Sequence, residues 1–439
     1  MTDMTDASRR LFLKSTAGAF AALVASGCTT RLAGGLPAAS PVGPLIPDPA
    51  GVIDLPAGAT YEVVSRLGDM MDDGLTVPDK ADGMGCFLLE DGSWALVRNH
   101  ELKVSDEAGG VLPTGYDQGP GGAPLPGGTT TLVLDPVTLG VRRQHRSLAG
   151  TIKNCSGGIT PWGTWMTCEE DVTKPGDEAG REHGWIFEVP AAAAGLVDAV
   201  PLRAMGRFRR EAAAVDPRTG IVYMTEDRDE SAFYRFIPNI PGNLAEGGRV
   251  QVAVLGDVPA DTRNWSAATF APGGWSALAW RDIDNVEAPE DDLRFRAAEM
   301  GAAIFARGEG IHMGDGELYF CCTSGGSARM GQIFRVVPSA GGQPDRMQLF
   351  FESESADQFN YGDNLTVAPN GHLVVCEDQY TDIVDNHLRG ITPGGQAYAL
   401  GRLRMQTELA GACFSPDGKV LFVNAYSPAM TLAIRYPAL

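Results

Sequence analysis

Acidic residues recur in pairs at one spacing along this chain of 439 residues. Three turn glycines, Gly163, Gly220 and Gly371, are each followed at the sixth and seventh positions by two carboxylates: Glu169 and Glu170, Glu226 and Asp227, and Glu377 and Asp378. Residues at one offset from equivalent turns take equivalent places, so these side chains should converge. Because packed carboxylates repel one another unless a cation neutralises them, the spacing predicts a site for multivalent cations, and oxygen ligands suit calcium.

A second set of candidate ligands precedes the same kind of turn. Seven to nine residues before the turn glycines stand Cys155, Glu211, Glu309 and Asp363. The first repeat carries its acid at Glu101, within Asn99–Glu101. A thiolate such as Cys155 favours a transition metal over calcium. The alternative interpretation is that these are exposed loop acids of an acidic protein.

Arg307 stands two residues before Glu309 among small residues. Its planar guanidinium can bind a phosphate or carboxylate through two parallel hydrogen bonds, which makes it a candidate catalytic residue. An ion pair between neighbouring repeats is the alternative. Arg209 and Arg210, directly before Glu211, carry the same ambiguity.

Composition and missing motifs exclude several classes of function. With 35 basic and 55 acidic residues the net charge is −20, whereas proteins that bind nucleic acid need clustered Lys and Arg. The six histidines form no HExxH motif, which counts against a histidine-based hydrolytic zinc site. Ser156 does not lie in a GxSxG motif, so a serine hydrolase has no support.

Six copies of one hairpin pattern must position these residues. Each copy has alternating residues, a turn that ends in glycine and an apolar run, and the copies span 85–97, 157–168, 211–225, 310–322, 363–376 and 411–424. Glycine supplies the positive φ that a tight hairpin turn needs. Short strands without helical periodicity indicate an all-β fold, and radial repetition protects strand edges. We therefore predict a six-bladed β-propeller over residues 51–439, with both ends of every hairpin at one mouth of its channel.

One spacing between repeats is longer than the others. The turn glycines Gly220 and Gly316 are 96 residues apart, which predicts an insertion between the third and fourth repeats. Within it, the charged segment Arg281–Met300 contains Pro289–Leu293, which could open a short helix because proline suits the first helical position.

The N-terminus has the pattern of an export signal. Ser8–Lys14 contains twin arginines and precedes a weakly apolar run, so residues 1–28 are predicted to direct twin-arginine export to the periplasm or the cell exterior. An amphipathic first helix is the alternative. Ala25–Cys28 resembles a lipobox, which predicts a lipid anchor at Cys28. Residues 29–50, rich in Gly, Pro, Ala and Ser, are predicted to be a flexible tether.

Several motifs together resemble the PhoX family of bacterial alkaline phosphatases. They are Asn154–Gly158 continuing through Thr160–Trp165 and Thr167–Glu170, Asn99–Glu101, Glu226–Asp227 and Arg307–Gly310, and the resemblance spans most of residues 52–436. It implies a six-bladed propeller exported by the twin-arginine route. It also implies a phosphomonoesterase site that holds ferric iron and calcium and acts on a small phosphate ester.

The resemblance implies roles for individual residues. Cys155 would be the thiolate ligand of iron, and Glu169 or Glu170, together with Glu211 and Glu309, would hold iron or calcium. Arg307 would neutralise the substrate phosphate. Two other classes remain open: a calcium-dependent lactonase-like hydrolase that lacks iron and does not need Cys155, and a non-catalytic cell-surface propeller that binds a partner. We expect a monomer in each case.

Overall fold

The computed structural model describes residues 40–339, 343–379 and 381–437. The predicted export signal and lipobox at residues 1–28 lie outside the described residues, as do residues 29–39 of the predicted tether. Residues 45–46, also assigned to the tether, belong to the folded body, because β1 (Leu45–Ile46) pairs antiparallel with β2 (Ile53–Pro56). No helix within the described ranges is long and apolar enough to cross a membrane.

The first two repeats each form a small antiparallel sheet. After β3 (Thr60–Arg66), the first sheet contains β4 (Ala81–Leu88), β5 (Trp94–His100), β6 (Gly127–Leu134) and β7 (Val141–Thr151). The second sheet contains β8 (Asn154–Ile159), β9 (Thr164–Glu169) and β10 (Ile186–Pro190). A short 3₁₀ helix, Arg203–Met205, follows β10.

The third and fourth repeats share one nine-stranded sheet. Its strands are β11 (Arg210–Val215), β12 (Val222–Glu226), β13 (Tyr234–Pro238), β14 (Gly248–Leu255), β15 (Trp275–Asp282), β16 (Gly308–Met313), β17 (Leu318–Cys322), β18 (Gln332–Val337) and β19 (Asp345–Glu352). They lie in the order β11-β12-β13-β14-β15-β19-β18-β17-β16. A 3₁₀ helix, Leu244–Glu246, precedes β14. The helix predicted after Pro289 is present as α1 (Leu293–Glu299).

The last two repeats use strands from the N-terminal part of the chain. One sheet contains β20 (Gly362–Val367), β21 (Leu373–Glu377), β22 (His387–Ile391) and β23 (Ala397–Leu403), with β2 and β1 added outside β23. The other contains β24 (Leu409–Phe414), β25 (Leu421–Ala425), β26 (Met430–Arg435) and then β3. The pairing of β3 with β26 joins the two ends of the described body.

The six predicted hairpins are all present. The turn glycines are Gly92, Gly163, Gly220, Gly316, Gly371 and Gly418, and their φ angles lie between 72° and 85°. A side chain is strained in this left-handed region, which is why glycine occupies these positions. The first strands of the hairpins contact one another in a closed circle, in the order β4, β8, β11, β16, β20, β24 and again β4.

The prediction of an all-β, propeller-like arrangement is confirmed, but the sheets do not separate into six. The third and fourth repeats are fused because β15 hydrogen-bonds to β14 on one side and to β19 on the other. The hydrophobic core lies between neighbouring repeats: Phe233 of the third repeat stacks on Phe320 of the fourth with ring centroids 4.5 Å apart. Met84 and Trp94 of the first repeat likewise pack with Phe422 of the last.

Each of the six inner strands carries a β-bulge close to its start. The antiparallel register shifts after Ala81, Asn154, Arg210, Gly308, Gly362 and Ala410. A bulge inserts an extra residue and redirects the side chain from the regular alternation of the strand. The fold therefore repeats one local distortion six times around the circle.

Candidate active site

The bulges bring one group of candidate ligands together. The first residues of five bulges are Asp82, Cys155, Glu211, Glu309 and Asp363, and all five are buried. In the sixth bulge the equivalent residue is Gly411, with φ of +63°. A Cβ atom there would lie 2.3 Å from the carbonyl oxygen of Asp82. The close approach of these backbones leaves no room for a sixth side chain.

A second group comes from the ends of the second hairpin strands. Glu101, Glu170 and Asp378 directly follow β5, β9 and β21 and reach the bulge residues. Asp227 follows β12 and joins this edge through Arg307. Glu408 comes from the loop before β24 and completes the last repeat's contribution.

The two groups form overlapping sets that could hold metal ions. In each set the ligand atoms lie within 4.8 Å of one another: Asp82, Glu101 and Cys155; Cys155, Glu170 and Glu211; Glu211, Glu309 and Asp363; and Asp363, Asp378 and Glu408. Neighbouring sets share Cys155, Glu211 or Asp363, so the four sets form one continuous group of nine residues, which we call the metal-binding series. The ligand atoms at one end of the series include the sulfur of Cys155, whereas those at the other end are all carboxylate oxygens.

Glu211, at the centre of this series, has no polar partner for either carboxylate oxygen among the described residues, although it is completely buried. Burial raises its pKa well above the usual range, and the charges of Glu309 and Asp363 raise it further. Burial and the charge of Asp378 raise the pKa of Asp363 to about 8. A carboxylate in this situation must either hold a proton or bind a cation.

Basic residues contact only part of the series. Lys153 Nζ lies 3.0 Å from Glu101 Oε1 and 2.7 Å from Glu170 Oε2. Burial alone would lower the pKa of Lys153, but these two carboxylates outweigh burial and raise it. Arg209 Nη2 lies 2.5 Å from Glu170 Oε1. Glu170 is therefore held between two cations.

Arg307 lies at the edge of the series and is held in a fixed position. Its Nε is 2.7 Å from Asp227 Oδ1, and its Nη2 is 2.9 Å from Glu309 Oε1. Burial would raise the pKa of Asp227, but the charge of Arg307 outweighs burial and lowers it. The φ of Arg307 is +54°, a conformation that costs energy for a residue with a side chain. The guanidinium thus stands beside two carboxylates of the mouth.

The first member of each predicted acidic pair lies elsewhere. Glu169, Glu226 and Glu377 are completely buried, but none belongs to the four sets. Glu377 accepts hydrogen bonds from the backbone N–H of Asn360 and His387 and from Arg389 Nε. Strand alternation explains the separation, because adjacent residues point to opposite faces.

The other two carboxylates make the same kind of contact. Glu169 accepts hydrogen bonds from the backbone of Ile152, Gly184 and Trp185 and contacts His183 Nδ1 at 2.6 Å. Glu226 accepts hydrogen bonds from the Ala232 N–H and the Tyr234 hydroxyl. These acids connect the hairpin to the strand that follows it.

The spacing rule did not identify two residues of the series. Asp82 lies ten residues before Gly92, outside the interval of seven to nine, because β4 has eight residues whereas the first strands of the other hairpins have six. Its position in the bulge is the only signal that could have identified it. Glu408 lies outside the repeated pattern, so no spacing points to it.

Comparison with protein families decides the assignment. The model of the family "Alkaline phosphatase PhoX" matches residues 40–135 and 126–429. The chain belongs to the PhoX alkaline phosphatase family. As a member of this PhoX family it is a phosphoric monoester hydrolase.

One solved structure shows a related fold. The protein is 18% identical to Pseudomonas fluorescens PhoX in complex with vanadate, a transition-state analogue, with a TM-score of 0.69 over 88% of this chain and 96% of that chain. A gluconolactonase from Xanthomonas campestris is 12% identical, with a TM-score of 0.40 over 90% of this chain and 99% of that chain. No curated protein matches the sequence.

Proposed function

We propose that the protein is an exported, metal-dependent phosphomonoesterase that hydrolyses small phosphate esters at the bulge-lined mouth. The observation that carries the proposal is Glu211, whose two buried oxygens have no partner among the described residues, while three further acids and a thiol share ligand sets with it. Without cations this cluster needs several protons at neutral pH, because burial and mutual repulsion raise the pKa values of Asp82, Glu309 and Glu408. Family membership supplies the reaction class.

The donor atoms fit two kinds of metal ion. The sulfur-containing end, with Cys155 beside Asp82, Glu101, Glu170 and Glu211, suits ferric iron. The oxygen-only end, with Glu211, Glu309 and Asp363 and then Asp378 and Glu408, suits calcium. Bound ions would supply positive charge to stabilise the oxyanions that develop in phosphoryl transfer.

The protein's own residues would bind and orient the ester. Arg307 would bind phosphoryl oxygens through its planar guanidinium, and Asp227 would fix the orientation of that group by its contact at 2.7 Å. Lys153 would hold Glu101 and Glu170 in place by its contacts of 3.0 Å and 2.7 Å, and its positive charge offsets part of the repulsion among the acids. The burial of the five bulge residues limits water around the cluster, which strengthens these electrostatic interactions.

The remaining parts of the proposal concern architecture and location. We count the nine-stranded sheet as two blades joined by β15, which gives six blades around the circle of inner strands. The twin-arginine signal would place the enzyme, as a monomer, in the periplasm or outside the cell, with Cys28 as the site of lipid attachment.

Elemental analysis with activity assays tests the proposal. Protein exported through its own signal should contain iron and calcium and should hydrolyse an aryl phosphate at alkaline pH in a calcium-dependent manner. Cys155→Ala should lose iron and activity together. The matched control is Glu317→Gln, which removes a buried carboxylate at the opposite end of the β16–β17 hairpin and should keep both metals.

Three outcomes would contradict parts of the proposal. An active Cys155→Ala enzyme without iron would refute the iron assignment. Calcium without iron in the wild-type protein would favour the lactonase-like hydrolase. Protein that contains neither metal would favour the non-catalytic binding propeller.

A further inference from the structure

A cleft of about 370 Å³ adjoins the metal-binding series on the side of the second and third repeats. Its lining consists of Asp171, Val172, Thr173, Arg209 and Arg228. Two arginines in one cleft stand out in a chain whose net charge is −20. The charge of this lining is therefore opposite to that of the neighbouring cluster.

An ion pair and a hydrogen bond connect the cleft to the metal-binding series and to Arg307. Arg209 binds Glu170, which shares a set of ligand atoms with Cys155 and Glu211. The carbonyl oxygen of Arg228 accepts a hydrogen bond of 2.9 Å from the N–H of Arg307. A phosphate ester whose phosphoryl group lies at Arg307 can therefore extend its alcohol part into the cleft.

Neither arginine of the cleft has a carboxylate of its own. Arg209 shares Glu170 with Lys153, and Arg228 shares Asp291 with Arg294, whose Nη1 lies 3.1 Å from Asp291 Oδ1. The Nε of Arg228 is buried without a hydrogen-bond partner among the described residues. A guanidinium has five N–H donors, and the hydrogen bonds of Arg209 and Arg228 among the described residues use only some of them, which leaves donors for an anionic ligand.

The remaining polar groups of the cleft are one acid, Asp171, and Thr173. Asp171 Oδ1 accepts a hydrogen bond of 2.6 Å from the N–H of Thr173 in its own loop. The Thr173 hydroxyl adds a donor to the lining. The side chains of Arg209 and Arg228 are 29% and 23% exposed, so a ligand can reach them.

We infer that Arg209 and Arg228 determine specificity for phosphate esters whose alcohol part carries a second anionic group, such as a carboxylate or another phosphate. This inference rests on the proposed phosphomonoesterase activity. The two guanidinium groups would bind the second anion while Arg307 binds the phosphoryl group. Esters with a neutral alcohol part have no second anion for Arg209 and Arg228 to bind.

Two substrates with the same carbon skeleton test the inference. In 3-phosphoglycerate a carboxylate replaces the terminal hydroxymethyl group of glycerol 3-phosphate. The wild-type enzyme should hydrolyse 3-phosphoglycerate with kcat/KM higher by about tenfold or more, and Arg228→Gln should lower that ratio by about tenfold, as expected for one charge-assisted hydrogen bond. Arg249→Gln, which removes an exposed arginine paired with Asp282 on β14 and β15, should keep the wild-type ratio.

A measurement on the wild-type enzyme does not depend on how a variant folds. Glycerate should inhibit hydrolysis of an aryl phosphate at concentrations at least about tenfold lower than glycerol, because only glycerate carries the second anion. Equal inhibition by the two compounds would overturn the inference. Equal kcat/KM values for the two esters, or an unchanged ratio in Arg228→Gln, would also overturn it while leaving phosphatase activity intact. Hydrolysis of no ester by the metal-loaded enzyme would overturn the proposed function itself.

Discussion

Glu377 and Asp378 are adjacent in sequence, yet their carboxylates have different surroundings. Glu377 is completely buried and accepts hydrogen bonds from two backbone N–H groups and from Arg389. Asp378 joins Asp363 and Glu408 in a set of three carboxylates. Hydrogen-bond donors of the protein satisfy the Glu377 carboxylate, whereas the Asp378 carboxylate needs a proton or a bound cation.

The same division recurs in two other repeats. Glu169 and Glu226 contact the strand that follows their hairpin, and their neighbours Glu170 and Asp227 face the mouth. A change of one position along a strand exchanges the two faces. Residue type therefore does not reveal whether an acid has a structural or a chemical role, but its position in the pleat does.

The largest effect should follow from removing the charge of Glu377. Glu377→Gln leaves the buried guanidinium of Arg389 without its anionic partner, so we expect a loss of about 4 kcal/mol in the free energy of unfolding. Urea denaturation at constant calcium measures this loss. The activity of each folded molecule should remain within about twofold of wild type, since the Glu377 carboxylate belongs to none of the four ligand sets found among the described residues. A loss of activity in a stable variant would refute the division between the two faces.

Asp378→Asn should have the opposite result. We expect kcat/KM to fall by at least about 100-fold, which is about 2.7 kcal/mol of transition-state stabilisation, because an amide is a weaker ligand for calcium than a carboxylate. Stability in the absence of metal should not fall, since the substitution removes like-charge repulsion near Asp363. Steady-state kinetics over a calcium titration measure the first effect. Wild-type activity at every calcium concentration would show that Asp378 is not a ligand.

The smallest effect concerns the stability of metal-free protein against pH. Burial and the charge of Asp378 raise the pKa of Asp363 to about 8, so the folded state retains a proton that the unfolded chain releases near pH 4. The stability that this proton supplies is fully present below that pH and is lost as pH rises towards 8. Between pH 6 and 7 the loss should be about 1.4 kcal/mol for each such group.

Thermal unfolding in chelator measures this slope. Asp363→Asn should unfold with a shallower dependence on pH than wild type, and added calcium should flatten the wild-type curve. Arg249→Gln should keep the wild-type slope, because Arg249 forms an exposed ion pair with Asp282, which is not one of the acids of the metal-binding series. A wild-type curve that rises between pH 6 and 7 would contradict the sign of the argument.

Local features of the fold could be predicted from the sequence. The six turns were found because each needs a glycine with positive φ, and that requirement is visible in the residue itself. A short helix was expected near Pro289 and is present, but it begins at Leu293, so the proline is not its first residue. The fusion of two repeats through β15 was not predicted, because pairing between β15 and β19 depends on contacts between residues distant in sequence.

The candidate site could be predicted in part. Counting from the turns identified Glu170 and Asp378, but it included Glu169 and Glu377 as well, since an offset of one residue does not say which face a side chain takes. The β-bulges determine which side chains of the first hairpin strands join the series. They bring Asp82 into the series, and a bulge has no fixed residue type except where space forces glycine, as at Gly411.

The pairing of β3 with β26 has a consequence for how the chain folds. It joins Thr60 to Arg435 and Arg66 to Met430, so the last sheet cannot be completed until almost the whole chain has been synthesised. Contacts between such distant residues are slow to form because a large loop must close first. Until then the edges of β3 and β26 are open to pairing with other chains. We therefore expect the nascent protein to be prone to aggregation until the circle closes, and to gain its resistance to proteolysis in that final step.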